Sequence, residues 1–155
     1  MNNLNDIIPG ERPEYNTLAK QLKIVKQDGY NIQFIRNPSE DVQLAAVSHY
    51  RPAIRYLESP SETVQLAAVQ NHGGAIYYIL AKGIVPSIVV QRAAVLENPV
   101  SALKYMIYYS IPISKMIQWT AAKQIKERNI VSHLDELDED MLNSLDPDVQ
   151  KYLQS

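Results

Sequence analysis

The sequence predicts an all-α fold, a short α-solenoid of about five two-helix repeats of 22–27 residues each, with a C-terminal helical cap. The main observation is a six-residue box, Val-Gln-Leu-Ala-Ala-Val at 42–47, which returns 22 residues later at 64–69. It returns again after 26 more residues as Val-Gln-Arg-Ala-Ala-Val at 90–95. A proline precedes each of these boxes and a turn signal follows it. A period in this range is typical of solenoids, whose units bury their apolar faces only by stacking on their neighbours.

Two weaker copies of the box extend the series in both directions. Residues 20–25 lie 22 residues before the first box, and residues 117–122 lie 27 residues after the third. We therefore expect one domain, with the repeat array at 13–129. Residues 1–12 precede the array and are predicted to be a loose arm. Residues 130–155 lose the strict pattern and are acidic, which favours a terminal cap that shields the last apolar face.

The first helix of each unit is predicted from its start signals. The segments 37–40 (Asn-Pro-Ser-Glu) and 59–62 (Ser-Pro-Ser-Glu) offer an N-cap at Asn37 or Ser59, a proline at the first helical position and a glutamate three residues after the cap. The helix then runs through the box, where paired alanines are strong helix formers and small enough for adjacent units to approach closely.

A second, shorter helix is predicted after each turn. Each has two apolar residues three positions apart, which indicates one buried stripe per unit. The four pairs are Ile32 with Ile35, Ile54 with Leu57, Ile76 with Ile79, and Leu103 with Met106.

Composition and charge exclude several classes of protein. The chain has no cysteine, so it has no disulfide and no thiolate metal site. Its first residues have no signal-peptide pattern, and the apolar run 75–81 is too short for a membrane span, so we expect a cytoplasmic protein without a membrane partner. Residues 1–126 carry 13 Lys+Arg and 9 Asp+Glu, a charge of +4, whereas 127–155 carry 2 and 8, a charge of −6.

With the repeat laid out, the chain resembles uncharacterised short-repeat proteins of bacteriophages and bacteria, built on units like Asn-Pro-Ser-Glu-x-Val-Gln-Leu-Ala-Ala-Val. The residues that carry the resemblance are 37–40 with 42–47, and 60–62 with 64–69, within a similarity that spans about 20–126. More loosely, the chain is similar to leucine-rich-variant and HEAT-type helical repeats. The resemblance implies a binding scaffold. If the protein is phage-encoded and acts in the host cytoplasm, host takeover, blocking of a defence system, or a virion or assembly role would all fit a binding scaffold.

Alignment of the units by their boxes shows two candidate columns on the second helices. Phe34, Tyr56, Tyr78 and Tyr105 form an aromatic column, which fits either a binding stripe or, as we favour, core between neighbouring units. The adjacent column, Gln33, Arg55, Tyr77 and Lys104, is varied and polar, and we expect it to be exposed and to contact a partner. Candidate partner-binding residues are Arg55, Tyr77, Tyr78, Lys104, Tyr105, Tyr108, Tyr109 and Trp119.

The most regular polar feature is a glutamine column, with members at 21, 43, 65, 91 and 118. It fits a hydrogen-bonding strip for a partner, but we favour internal bonds to a turn or a neighbouring unit, because buried amides usually find internal partners. His49 and His72 lie at turns without the spacing of a metal site, and the acidic run 135–140 lacks the glycine of a calcium loop. We therefore expect no metal and no cofactor.

The function that these observations favour is a non-catalytic protein-binding scaffold or inhibitor. No phosphate-binding glycine loop, nucleophile elbow or acid–base pair stands out, so we do not expect an enzyme. The alternative is a nucleic-acid-binding helical repeat protein, in which tyrosines stack on bases and cations contact phosphates. Those cations would be Arg55, Lys82, Arg92, Lys104 and Lys115.

Overall fold

The computed structural model describes residues 17–155, and every regular element in this part of the chain is a helix. Nine are α-helices and three, η1 to η3, are 3₁₀ helices. In chain order they are α1 (Leu18–Gln27), η1 (Gly29–Phe34), α2 (Glu40–His49), η2 (Arg51–Tyr56), α3 (Glu62–Asn71), α4 (Ala75–Leu80), α5 (Ile88–Glu97), α6 (Pro99–Tyr108), α7 (Lys115–Glu127), η3 (Val131–Glu136), α8 (Glu139–Asn143) and α9 (Pro147–Gln154). The all-α prediction is confirmed for these residues. The predicted arm, 1–12, lies outside them.

The helices pack in two layers. In the first layer α1 contacts α2, α2 contacts α3, α3 contacts α5, α5 contacts α7 and α7 contacts α9. In the second layer η1 contacts η2, η2 contacts α4, α4 contacts α6, and α6 contacts η3 and α8. Each first-layer helix from α1 to α5 also contacts the second-layer helix that follows it in the chain, so the core lies between the layers.

The core follows the predicted pattern. The first valine of each box, at 42, 64 and 90, has no exposed surface. All eight residues of the four apolar pairs are buried, although Ile35 and Leu57 lie one residue past the ends of η1 and η2. Only the second alanine of each box, such as Ala68, is fully buried, whereas the first, such as Ala67, is partly buried and packs against the edge of the core.

The predicted helix caps were wrong by two residues. Ser39 and Ser61 are the N-caps, and the helices begin at Glu40 and Glu62, so each proline lies before its cap. Ser61 Oγ accepts from the backbone N–H of Val64 at 3.3 Å. Asn37, the expected cap, instead has a φ of 49°, in the left-handed region that asparagine tolerates better than most residues.

The glutamine column lies in the first turn of the first-layer helices. Four of its members, at 43, 65, 91 and 118, lie at the fourth helical position, and the Nε2 of each donates to the backbone oxygen of the residue before the N-cap. The bond measures 2.9 Å from Gln43 to Pro38 and from Gln65 to Pro60, and 3.1 Å from Gln91 to Pro86 and from Gln118 to Ile113. The favoured interpretation, internal bonds to a turn, is confirmed for these four glutamines.

Hydrogen bonds also join neighbouring first-layer helices at both ends. At the N-terminal ends, Ser61 donates to Glu40, and Ser87 donates to Glu62 at 3.0 Å. At the C-terminal ends, Asn71 Nδ2 donates to the backbone oxygen of Val47 at 2.7 Å. These bonds satisfy side chains and helix-end carbonyls that would otherwise need water.

The acidic C-terminal region repeats part of the same plan. α9 begins with Asp146 as its N-cap and a proline at the first helical position, and it packs on α7. Gln150 Nε2 donates to the backbone oxygen of Leu145 at 2.7 Å, the same bond that the glutamine column makes. Residues 130–155 therefore form helices, as predicted, and α9 packs on α7 with Val149 and Leu153 buried.

Candidate functional site: a tyrosine surface on the second layer

Five tyrosines of α4 and α6 and the residue after α6 form one connected group, the tyrosine surface: Tyr77, Tyr78, Tyr105, Tyr108 and Tyr109. Tyr77 is its centre, with ring centroids 5.2 Å from Tyr78, 5.1 Å from Tyr105 and 6.3 Å from Tyr109. Tyr108 joins the group through Tyr109, at 5.0 Å and 83° between the ring planes. Edge and tilted contacts of this kind are the favoured arrangements of aromatic rings.

Three rings of the group pack on the core and support the other two, which face solvent. Tyr78, Tyr105 and Tyr109 are half-buried and pack against the core. Tyr77 is 40% exposed and Tyr108 is 68% exposed. The supporting rings come from two successive second-layer helices, so this surface is held by the packing of α4 on α6.

Tyr109 is the member of this surface with a shifted pKa. Partial burial raises the pKa of Tyr109, and the neighbouring hydroxyls of Tyr77 and Tyr108, with a hydrogen bond to Tyr77, raise it further. A raised pKa keeps the phenol protonated well into alkaline conditions. Tyr109 therefore stays uncharged at neutral pH, and the rings of the surface offer flat apolar area.

Three predicted site residues lie apart from this ring network. Trp119 is on α7, in the first layer, and its ring lies 5.2 Å from that of Tyr152 on α9. Arg55 is exposed on η2 with its guanidinium 5.1 Å from the ring of Tyr56. Lys104 lies on α6 and is half-buried, so the prediction that it is exposed was wrong. Gln33 of the same column is also half-buried, whereas Arg55 and Tyr77 are exposed as predicted.

A second aromatic group, which the sequence columns did not indicate, lies at the N-terminal end of the second layer. Tyr30 is its centre, with ring centroids 6.2 Å from Phe34, 5.7 Å from Tyr50 and 5.6 Å from Tyr56. Burial raises the pKa of Tyr56, and the guanidinium of Arg55 partly opposes that rise. Only Tyr30 of this group is exposed, so the group is mainly packing between η1 and η2. Tyr30 and Tyr50 occupy no aromatic column, which is why alignment of the repeats missed them.

The side chains of the aromatic column serve mainly in packing. Phe34, Tyr56, Tyr78 and Tyr105 are all half-buried, and Tyr56 and Tyr105 each contact a tyrosine of the preceding unit. This arrangement agrees with the favoured interpretation of the column as packing between units.

One of the cations considered for phosphate contact is already paired. Lys115 Nζ lies 3.1 Å from Asp146 Oδ2 and 3.1 Å from Asp148 Oδ2. Hydrogen bonds to Asp148 and Asp146 raise the pKa of Lys115, and the bond from Lys115 lowers the pKa of Asp146. Because Asp146 is the N-cap of α9 and Asp148 lies in its first turn, these ion pairs connect α9 to α7.

Within residues 17–155, no cluster of three or more histidine, aspartate or glutamate side chains is arranged to hold a metal ion. Over the same residues, none of the helices combines the length and the apolar character that crossing a bilayer requires.

No protein-family model matches the chain, and neither do any of the curated proteins or solved structures with which it was compared.

Proposed function

We propose that this chain is a non-catalytic protein-binding scaffold or inhibitor, built as a short α-solenoid, and that the tyrosine surface contacts its protein partner. The observation that carries the proposal is the exposure of Tyr77 and Tyr108. The rings of these two residues lie against tyrosines that are themselves packed on the core. Tyrosine is enriched among the residues that dominate protein interfaces. A ring that is already held in place loses little conformational entropy when a partner covers it.

Three features support the solenoid part of the proposal. The helices contact one another in sequence order within each layer, the box valines are buried at equivalent positions, and the glutamine bond recurs in each unit from Gln43 to Gln118. Each feature is local to one unit or joins one unit to the next. That is the pattern of a repeat architecture, in which stability comes from units and their nearest neighbours.

The proposal includes a cytoplasmic location, and a phage or bacterial origin is what the sequence resemblance adds to it. For a phage-encoded chain, inhibition of a host protein would use a rigid surface of this kind. Nucleic-acid binding is the weaker candidate. Its basic residues are scattered, and Lys115 is already engaged by two carboxylates.

The test is affinity capture of the tagged protein from its native host cells, with and without nuclease, followed by mass spectrometry. We expect a nuclease-resistant protein partner that the double variant Tyr77→Ala/Tyr108→Ala no longer retains. Truncation of two central interface tyrosines should cost about 2–4 kcal/mol of binding free energy, roughly a 30-fold to 1,000-fold loss of affinity.

Leu18→Ala is the matched control, because Leu18 is also a large exposed apolar residue, 50% exposed, but lies on α1. It should retain the partner. Recovery that disappears with nuclease would replace the proposal by the nucleic-acid alternative. Unchanged binding by the double variant would show that the tyrosine surface is not the interface.

A further inference from the structure

The second-layer helices that precede η3 contain no acidic residue. None of η1, η2, α4 and α6 has an aspartate or glutamate, whereas the first-layer helices α2, α3 and α5 each have at least one. The cations of these second-layer helices are Arg51 and Arg55 on η2 and Lys104 on α6. Acidic side chains appear in this layer only from η3 onward, beginning with Asp135 and Glu136. Before η3, the second-layer helices therefore contribute positive side chains and no negative ones.

Two of these cations alternate with the two exposed tyrosines. Arg55, Tyr77 and Lys104 occupy one column in three successive units, and the helices that carry them contact one another from η2 to α4 and from α4 to α6. Tyr108 lies four residues after Lys104 on α6, which places both side chains on one face of that helix. We name these four residues the cation–tyrosine strip.

Both cations of the strip are available to a partner. In residues 17–155 the ion pairs are those of Lys115, so no carboxylate of this part of the chain neutralises Arg55 or Lys104. Arg55 is exposed, and Glu58, which follows η2, makes no ion pair with it. Lys104 is half-buried, but its Nζ has no hydrogen-bond partner. Since Gln43 Oε1 is the only buried and unpaired side-chain nitrogen or oxygen in the described residues, the ammonium group of Lys104 reaches solvent.

The charges decide which chemistry the strip accepts. Tyrosine rings can bind a cation on their faces, but the two neighbouring positive charges oppose a cationic ligand. A nucleic acid carries a charge at every nucleotide and is held by many cations, whereas Tyr77 stands between the two cations of this column. A protein segment with carboxylates on either side of an apolar side chain matches the alternation of the strip.

Helix packing sets the spacing of those carboxylates. Neighbouring helix axes lie about 8–10 Å apart, so Arg55 and Lys104, which are two helices apart, are separated by about 16–20 Å. An extended chain advances about 3.3 Å per residue, so about five or six residues cover that distance.

We infer that the cation–tyrosine strip binds an extended acidic segment of the partner protein. One carboxylate of the segment pairs with Arg55 and another with Lys104, and an apolar side chain between them lies on Tyr77. Tyr108 extends the apolar contact beyond Lys104. The inference rests on the proposed function, because it uses the same tyrosines, and it adds the charge and the extended form of the partner.

The test is selection of random peptides, displayed on phage and long enough to span the strip, against the immobilised full chain. The Tyr77→Ala/Tyr108→Ala variant serves for counter-selection, so that only peptides that depend on the two tyrosines are kept. We expect these peptides to carry aspartate or glutamate on both sides of an aromatic or aliphatic residue.

Charge reversal tests the role of the two cations. A synthetic peptide of the retained class, followed by fluorescence anisotropy, should bind Arg55→Glu/Lys104→Glu at least about tenfold more weakly than the parent, because like charges repel. Arg55→Glu alone changes only an exposed residue and should also weaken binding. Lys23→Glu/Lys123→Glu is the matched control, because it makes the same change of net charge at exposed first-layer positions. At about 0.15 M salt, which screens distant charges, it should bind like the parent.

Retained peptides that are neutral or basic would overturn the inference and leave the proposed function standing. Equal weakening by the control pair, or tighter binding of a single-stranded oligonucleotide than of the retained peptide, would also overturn the inference. If no peptide depends on the two tyrosines, the inference is wrong, and the affinity capture described above then decides the proposed function by itself.

Discussion

Replacing Gln65 by alanine tests the bond that we hold responsible for where each first-layer helix begins. Gln65 is only 8% exposed, and its Nε2 donates to the buried backbone oxygen of Pro60 at 2.9 Å. Alanine leaves that oxygen without a donor, and a buried polar group left unpaired costs about 1–3 kcal/mol. The higher helix propensity of alanine offsets only a few tenths of a kcal/mol of this loss.

The expected loss of about 2 kcal/mol corresponds to a fall in melting temperature of about 4–8 °C for a chain of this size. It can be measured by thermal and urea unfolding followed by circular dichroism. Gln70→Ala is the matched control, because Gln70 is on the same helix but exposed, and it should change stability by less than about 0.5 kcal/mol. Equal stabilities of the two variants would refute the assigned role.

Gln65→Glu sharpens the test. An ionised carboxylate can only accept hydrogen bonds, so it cannot replace the amide donor that faces Pro60, and it adds a charge to a buried site. The variant should be less stable than Gln65→Ala at neutral pH. It should recover toward about pH 4, where a protonated carboxyl can donate. A stability difference that does not depend on pH would contradict this explanation.

Three further predictions concern packing and ionisation. Ala68→Leu should overpack the contact between first-layer helices and cost about 1–3 kcal/mol. Ala67→Leu should cost clearly less, because Ala67 is only partly buried. Equal effects in urea unfolding would show that the packing is misassigned. Asp146→Asn keeps the N-cap but removes the ion pair with Lys115. The pKa of Asp146 is lowered in the folded state, so the stabilisation that its charge contributes is present above about pH 4. This stabilisation is lost as the pH falls through the pKa of Asp146 in the folded protein. The urea midpoints of variant and parent should therefore converge in acid. The pKa of Tyr109 is raised in the folded state, so the parent should lose stability as the pH rises past about 10. Tyr109→Phe should lose less stability over the same pH range. Absorbance titration of the phenolates in this variant should show one late-titrating tyrosine fewer than in the parent.

The sequence was sufficient to predict the all-α fold and the buried stripes, because both follow from periodicity. It was not sufficient to place the helix starts, because Asn37 and Ser39 both have side chains that can cap a helix. The choice depends on a bond that appears only in three dimensions, from Gln43 back to the oxygen of Pro38. Once that bond is known, Ser87 and Ser114 are recognised as the N-caps of α5 and α7.

The tyrosine surface could be predicted in part. Alignment of the units brings Tyr77, Tyr78 and Tyr105 to neighbouring positions, and the ring contacts follow from the packing of α4 on α6. Trp119 was grouped with them although it follows Gln118 within a box, which places it on a first-layer helix.

The serine–glutamate bonds between first-layer helices also bear on how the molecule opens. Ser61 bonds to Glu40 and Ser87 to Glu62, but the next partner position is Ile88, so this bond is absent between α5 and α7. That boundary is tied instead at its other end, where Arg128 donates to the backbone oxygens of Leu96 and Glu97. Sub-global opening should therefore begin at the N-terminal ends of these two helices, with the part from α7 onward exchanging its amide hydrogens earlier than α2 and α3 do.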